Sequence, residues 1–304
     1  MDFRQVGKQY SNWGRWGADD EMGTVNFITD EVRRHAATLA KTGRIFSLTL
    51  PFGDQGPQMG VSGRINPVHL MTATGAGQDF PGGFRYADDF IFMPLQAATQ
   101  WDSLAHVFYD GILYNNQSAD NVRPDGAWKN SIDRLAKGIV SRGVLIDIPR
   151  LKNVDRLENG TLISAQDLDA ALEKQNVAVK PGDVLLIRTG WMHGKWDDIP
   201  SLRGAHGEPG IGLDSVPWLH EKQVAVIACD NIAVEVSPAV EPGVTLPVHC
   251  ALIRDLGMTL GEFFWLEDLA DDCAADGVYE FLFAGPPLRI ERAVGSPVNP
   301  IVIK

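Results

Sequence analysis

The densest run of side chains able to hold a cation or move a proton is Gln96-Ala97-Ala98-Thr99-Gln100-Trp101-Asp102-Ser103-Leu104-Ala105-His106. It follows the apolar stretch 89–95, DFIFMPL, which reads as a strand whose end presents functional groups. Alternate residues of an extended chain share a side, so Gln96, Gln100 and Asp102 would bring three oxygen-bearing groups together. His106 lies four residues beyond Asp102. Such a set fits either an Asp–His hydrogen bond that finishes a turn or a site where carboxylate and imidazole share a metal or a proton. Spacing alone leaves both open, because one Asp and one His are a small signal.

Other chemistries lose their support. The histidines are His35, His69, His106, His193, His206, His220 and His249, and no two stand at the i, i+4 spacing of a helical zinc pair. There is no Cys-x-x-Cys, no Gly-x-Gly-x-x-Gly or Walker loop, and no Gly-x-Ser-x-Gly elbow. Kinases, simple dinucleotide enzymes and serine-type α/β-hydrolases therefore recede. The net charge of −12 argues against nucleic acid or an anionic membrane as partner, since both require a basic face. The same excess of negative charge favours a cation inside the protein.

The elements that must position these residues alternate between strand and helix. Strand-like runs occupy 44–50, 89–95, 143–148, 183–189, 224–228, 278–283 and 300–303. Helices are expected at 30–41, after the Ser164-x-x-Asp167 start signal, at 217–223, and from Pro247 to about Leu256, where Gly257 can end the last. This alternation predicts an α/β architecture. The chain shows no internal repeat or linker, so one domain spanning 1–304 is expected, with a Trp-rich ordered segment at 10–27. The Gly- and Pro-rich stretch 51–83 reads as a long loop of the kind that serves as a lid or specificity segment. No apolar run is long enough to span a membrane, and the opening residues lack a signal-peptide core. Cys229, Cys250 and Cys273 are odd in number and widely spaced, which suits reduced thiols and a cytoplasmic location.

The 96–106 run resembles the metal-dependent "cyclase" family of hydrolases, which includes bacterial kynurenine formamidase and isatin hydrolase. The family motif is His-x-Gly-Thr-His-x-Asp-x-Pro-x-His; Thr99, Asp102 and His106 match it. Gln96 and Gln100 replace the first two histidines, Ala98 the glycine and Leu104 the proline. The blocks NWGRWGADDEMGTVNFIT, GVLIDI, GDVLLIRTGW and HCALIRDLGMTLGEFFWLEDLA carry the likeness from about Asn12 to Ala270. The resemblance implies a swivelling β/β/α-like fold with a mixed, barrel-like sheet and surrounding helices, commonly assembled as a homodimer or homotetramer.

It also implies a site. Asp102, His249 and Glu262 would hold a divalent ion, Mn²⁺ or Zn²⁺ and one ion rather than two, with Gln96 and Gln100 on positions that are histidine ligands in the family. An amide oxygen is a neutral, weaker ligand than imidazole and suits a harder ion. His106 would be the general acid/base. On one unbroken helix His249 and Glu262 would lie about 220° apart, so a break near Gly257 is required. Trp101, Phe84, Tyr86, Phe108, His69 and Trp13 are candidate substrate contacts, suggesting a flat or aromatic ligand. Asp110, Tyr114 and Asn115 are candidates for the entrance, and Asp230 and Asn231 for the groups supporting the ligands. The implied activity is opening of a small cyclic amide, aryl formamide or lactone by metal-activated water. The alternatives are a cyclase or lyase step on a small oxo-acid, and a small-molecule-binding protein that lost catalysis with the two histidines.

Overall fold

The computed structural model describes residues 2–203, 207–241 and 243–304. In chain order the main strands are β1 (Ile45–Ser47), β2 (Val68–Ala73), β3 (Asp88–Phe92), β4 (Gln100–Asp102), β5 (Val140–Asp147), β6 (Val184–Arg188), β7 (Val226–Cys229), β8 (Thr259–Glu262), β9 (Glu280–Ala284), β10 (Gly295–Pro297) and β11 (Ile301–Ile303). Nine of them form a curled mixed sheet in the order β1-β11-β9-β5-β6-β7-β8-β4-β10. The central β5, β6, β7 and β8 run parallel, and antiparallel strands flank them on both sides. The expected α/β class and barrel-like mixed sheet are both present.

The parallel strands are buried on both faces, which is why they read as continuous apolar runs rather than alternating ones. Val144, Ile146, Leu185, Ile187 and Ile227 pack on one side, and Leu145, Val184, Leu186, Val226 and Ala228 on the other. Helices cover the first side. They include α1 (Ala165–Lys174), opened by a capping box in which Ser164 accepts from the Asp167 N–H and Asp167 accepts from the Ser164 N–H, and α2 (Ser215–Glu221). A further helix, α3 (Pro247–His249), continues in wider π-type turns over Cys250–Leu256. It ends at Gly257, whose φ of 69° is left-handed and whose Cα faces the Tyr114 ring so closely that a Cβ would collide with it. The break required between His249 and Glu262 is therefore real, and β8 follows it at once.

Two expectations about the segment before the site change. The 89–95 run is no core strand leading into the site: its part β3 pairs with β2 in a separate hairpin arm built from the supposed loop 51–83 and its continuation. Every residue of β3 and all of β2 except Ala73 are exposed, including Leu70, Met71, Phe90, Ile91 and Phe92. Periodicity could not reveal this, because a run of apolar residues reads alike whether it is covered or not. The three cysteines are buried and unpaired. No helix among the described residues is long and apolar enough to cross a membrane.

Gly261 on β8 illustrates how tightly the sheet is closed near the site. A Cβ there would stand 2.5 Å from the Trp101 ring and 2.7 Å from the Ala228 Cβ. Gly261→Ala should therefore lower stability by about 1–3 kcal/mol through overpacking, read as an earlier urea midpoint. An unchanged midpoint would mean that the β4–β8 contact is looser than the geometry shows.

Candidate metal centre

The site forms where β4 and β8 meet. They pair antiparallel with Trp101 opposite Gly261 and Gln100 opposite Glu262. Side chains directly opposite on such a pair share a face, so Gln100 and Glu262 point the same way, and Asp102 joins them two residues along. The Gln100 Nε2 donates to Glu262 Oε2 at 2.5 Å. His249 arrives from the first turn of α3, with its Nε2 3.4 Å from Glu262 Oε1 and 4.0 Å from Asp102 Oδ2. One ligand atom from each of Asp102, His249 and Glu262 lies within 4.8 Å of the others, and all three residues are buried. His106 is half-buried at the rim, its Nε2 3.7 Å from Asp102 Oδ1.

The electrostatics of this cluster are unbalanced. Both carboxylate oxygens of Asp102 and the Oε1 of Gln100 are buried with no hydrogen-bond partner. Leaving a buried carboxylate unpaired costs several kcal/mol, so the arrangement fits a cation that would satisfy all three atoms. Burial and the neighbouring charge of Asp102 push the Glu262 pKa up to about 7. For His249 burial favours the neutral ring, yet the carboxylates of Glu235 and Glu262 outweigh it and raise its pKa to about 10. His106 moves the other way: burial lowers its pKa, only partly offset by Asp102.

Two carboxylates around the site carried no motif signal. Glu235 accepts from the backbone N–H of Val248 and of His249, at 3.1 and 2.7 Å, and its Oε1 lies 2.6 Å from His249 Nδ1. It thereby fixes the ring so that Nε2 faces the other ligands. Glu208 accepts from the Ile232 N–H at 2.6 Å, and burial raises its pKa to about 8. The available clue was an acid standing in an apolar run, as in Ile232-Ala-Val-Glu235-Val.

The structure redistributes the other candidates. Gln96 lies in the turn before β4 rather than on it, so the alternation that joins Gln100 to Asp102 does not extend to it. Its buried Nε2 has no partner and sits against Gly295, the residue paired with Asp102. Trp101 faces away from the site, because it is one residue out of step with Gln100 and Asp102. Its Nε1 donates to Gly285 O at 2.7 Å and its ring packs on Phe264 and Phe283. His69 stands exposed on the arm, paired with Asp89 at 2.7 Å. Phe84 and Tyr86 stack on each other beyond β2, both exposed. Trp13 donates to Arg254 O and lines a cleft of about 450 Å³ with Arg4, Lys8 and Tyr109, away from the metal ligands. Phe108 is partly exposed two residues past His106.

The suggested entrance and support residues have defined partners. Asp110 pairs with Arg4, the Tyr114 OH donates to Asp20, and Asn115 donates to the carbonyls of Gly17, Ala18 and Asp20. Asp230 accepts from the N–H groups of Thr189 and Gly190, and Asn231 accepts from Phe263 N–H through its carbonyl, steadying the chain beside Glu262. His193 pairs with Glu267 and His220 packs edge-on against Tyr10, while His206 lies outside the described residues.

The model of the cyclase family, described as "Putative cyclase", matches residues 46–236. The chain belongs to the cyclase family. It is also similar to a crystal structure described as a novel cyclase, with 44% identity, a TM-score of 0.90, and coverage of 98% of this chain and 99% of that one. More distant likenesses show the shared fold. Isatin hydrolase A from Ralstonia solanacearum is 20% identical with a TM-score of 0.64, covering 88% of this chain and 95% of that one. A structure described as a potential metal-dependent hydrolase with cyclase activity is 14% identical with a TM-score of 0.54, covering 85% and 98%. No curated protein matches the chain.

Cation binding at this centre must displace protons, and the sign follows from the two raised pKa values. Below about 7 both Glu262 and His249 hold a proton, and between about 7 and 10 only His249 does. Mn²⁺ affinity of metal-free protein, titrated calorimetrically, should therefore rise steeply up to neutrality and then by about tenfold per pH unit. Glu235→Gln should weaken it by about 10–100-fold and Asp102→Asn should abolish it. A pH-independent affinity would contradict this assignment of ligands.

Proposed function

We propose that this cyclase-family protein is a metal-dependent hydrolase that opens a small cyclic amide, an aryl formamide or a lactone. The observation that carries the reading is the buried Asp102 carboxylate, whose oxygens lack any hydrogen bond and face His249 and Glu262. The names of the distant fold relatives, an isatin hydrolase and a metal-dependent hydrolase, support it. Asp102, His249 and Glu262 would hold one Mn²⁺ or Zn²⁺, with the amide oxygen of Gln100 as a further neutral donor; an oxygen-rich set of this kind suits these ions. Such a cation supplies Lewis-acid chemistry, polarising a carbonyl and making water a better nucleophile.

The remaining work belongs to the chain's own side chains. His106 is held neutral by its burial, so its ring can accept a proton at physiological pH. It stands 3.7 Å from Asp102 and at the rim, where substrate and water arrive. In the proposed reaction His106 takes the proton from the attacking water as the new C–O bond forms. It then returns that proton to the leaving nitrogen or oxygen as the C–N or C–O bond breaks. Glu235 keeps the His249 ring in place throughout. The Trp191, Phe263 and Ile232 side chains belong to an apolar cluster that also includes Ala98, two residues before β4, and would help exclude bulk water from this end of the sheet.

One observation favours a second reading, binding without turnover: Gln100 donates to Glu262 where the family motif has a histidine. The two separate in one experiment. Metal-loaded protein is assayed with formanilide, a small lactam and a small lactone, and products are identified by mass. Ring-opened or deformylated product supports the hydrolase, loss of water supports a cyclase or lyase step, and binding with no product supports the second reading. For the hydrolase, His106→Gln should lower kcat by about 10²–10⁴-fold while leaving metal affinity unchanged.

A further inference from the structure

The stretch 51–66 runs past the turn before β4 and is tied down at several points. Asn66 Oδ1 accepts from the Gln58 N–H at 2.8 Å, and Asn66 Nδ2 donates to Gln58 O at 3.0 Å. The Gln58 side chain in turn donates to Gln96 O and Ala97 O, at 3.2 and 2.9 Å, in the turn that leads into β4. From the other side Arg203 donates to Gly56 O and Asp54 O. The chain between these anchors carries Arg64, which is half-buried. Among the described residues its guanidinium has no hydrogen-bond or ion-pair partner. Its charge nevertheless reaches both His106 and Glu262, opposing protonation of each.

Unpaired arginines are ordinary in solvent, but this one is half-buried on a segment fastened to the turn before β4, and its charge is felt by His106 and Glu262 without pairing with either. Its five donors are left for something that enters from outside. With a divalent cation among the ligands, the charges of Asp102 and Glu262 are offset and that of Arg64 is not. We propose that Arg64 anchors an anionic group of the ligand, so that the substrates of this site are small amides or lactones bearing a carboxylate. A guanidinium meets a carboxylate through two parallel hydrogen bonds, which orients the ligand as well as attracting it. The scissile carbonyl is thereby fixed relative to His106. The inference rests on the proposed function for the location of the reacting bond, but the binding of an anion beside Arg64 can be tested without turnover.

The test uses metal-loaded protein and a matched pair of probes, benzoate and benzamide, titrated calorimetrically. Wild type should prefer benzoate by about tenfold to a hundredfold, the range expected of a charge-assisted hydrogen-bonded pair. Arg64→Met should remove that preference and leave benzamide unaffected, and Arg64→Lys should restore it in part. Because Arg64 has no hydrogen-bond or ion-pair partner among the described residues, the urea midpoint of the metal-loaded protein should stay the same in both variants, which separates ligand binding from a structural role. Equal affinity for the two probes in wild type, or a preference for benzoate that survives Arg64→Met and so reflects the metal alone, would overturn the proposal. The reacting ligand is then compared as 2-formamidobenzoate and formanilide, which share the formyl C–N bond. A higher kcat/KM for the anion, lost through KM in Arg64→Met, is expected. A preference for formanilide would overturn the substrate class. Arg64-dependent anion binding with no hydrolysis of any amide or lactone would instead sink the hydrolase reading and leave the anchor standing.

Discussion

Trp101 lies across Gly261 on one face of the β4–β8 pair, while Gln100, Asp102 and Glu262 share the opposite face. The rest of the centre depends on that registration. A strand alternates strictly, so a slip of one residue would send the two carboxylates into the apolar core and the indole into the site. The indole is held by a hydrogen bond to Gly285 O and by edge contacts with Phe264 and Phe283, and the absence of a side chain at Gly261 lets the strands close. Apolar packing beneath the sheet thus fixes where charge is presented above it.

The charge so presented is costly, and the fold arranges to keep it. Asp102 and Glu262 are brought close in a buried place, with Glu235 and Glu208 behind them. Glu262 and Glu208 respond as crowded, desolvated acids do, with raised pKa values, and His249 responds to its acidic partners in the opposite sense. A cation held by Asp102, His249 and Glu262 would offset the crowding of the two acids among them. The same arrangement makes the loop cation Arg64 significant: it lies close enough to be felt by the site yet is not consumed in neutralising it.

Several parts of this were legible in the chain. The apolar runs of β5, β6 and β7 announced strands, and the Ser164–Asp167 start signal and Gly257 marked a helix start and a helix end where they occur. The resemblance in the 96–106 motif pointed to Asp102 and His106, and its downstream partners His249 and Glu262 do converge on Asp102. Misplacements arose where covering surface decides the outcome. The aromatic residues of the arm looked like pocket walls, but Phe84 and Tyr86 stack on each other in the open. Trp101 was chosen for its type, although the alternation applied to its neighbours already turned it inward.

By itself the sequence determined the strand–helix alternation, the side on which Gln100 and Asp102 jointly fall, and the break between His249 and Glu262, because each depends on neighbours a few residues away. Only the tertiary structure decided that β4 pairs with β8, that Glu235 supports His249, and that Arg64 is half-buried without a hydrogen-bond or ion-pair partner among the described residues. The pairings among them join residues from 14 to 162 positions apart. They are set by long-range packing, whose partners no local pattern names.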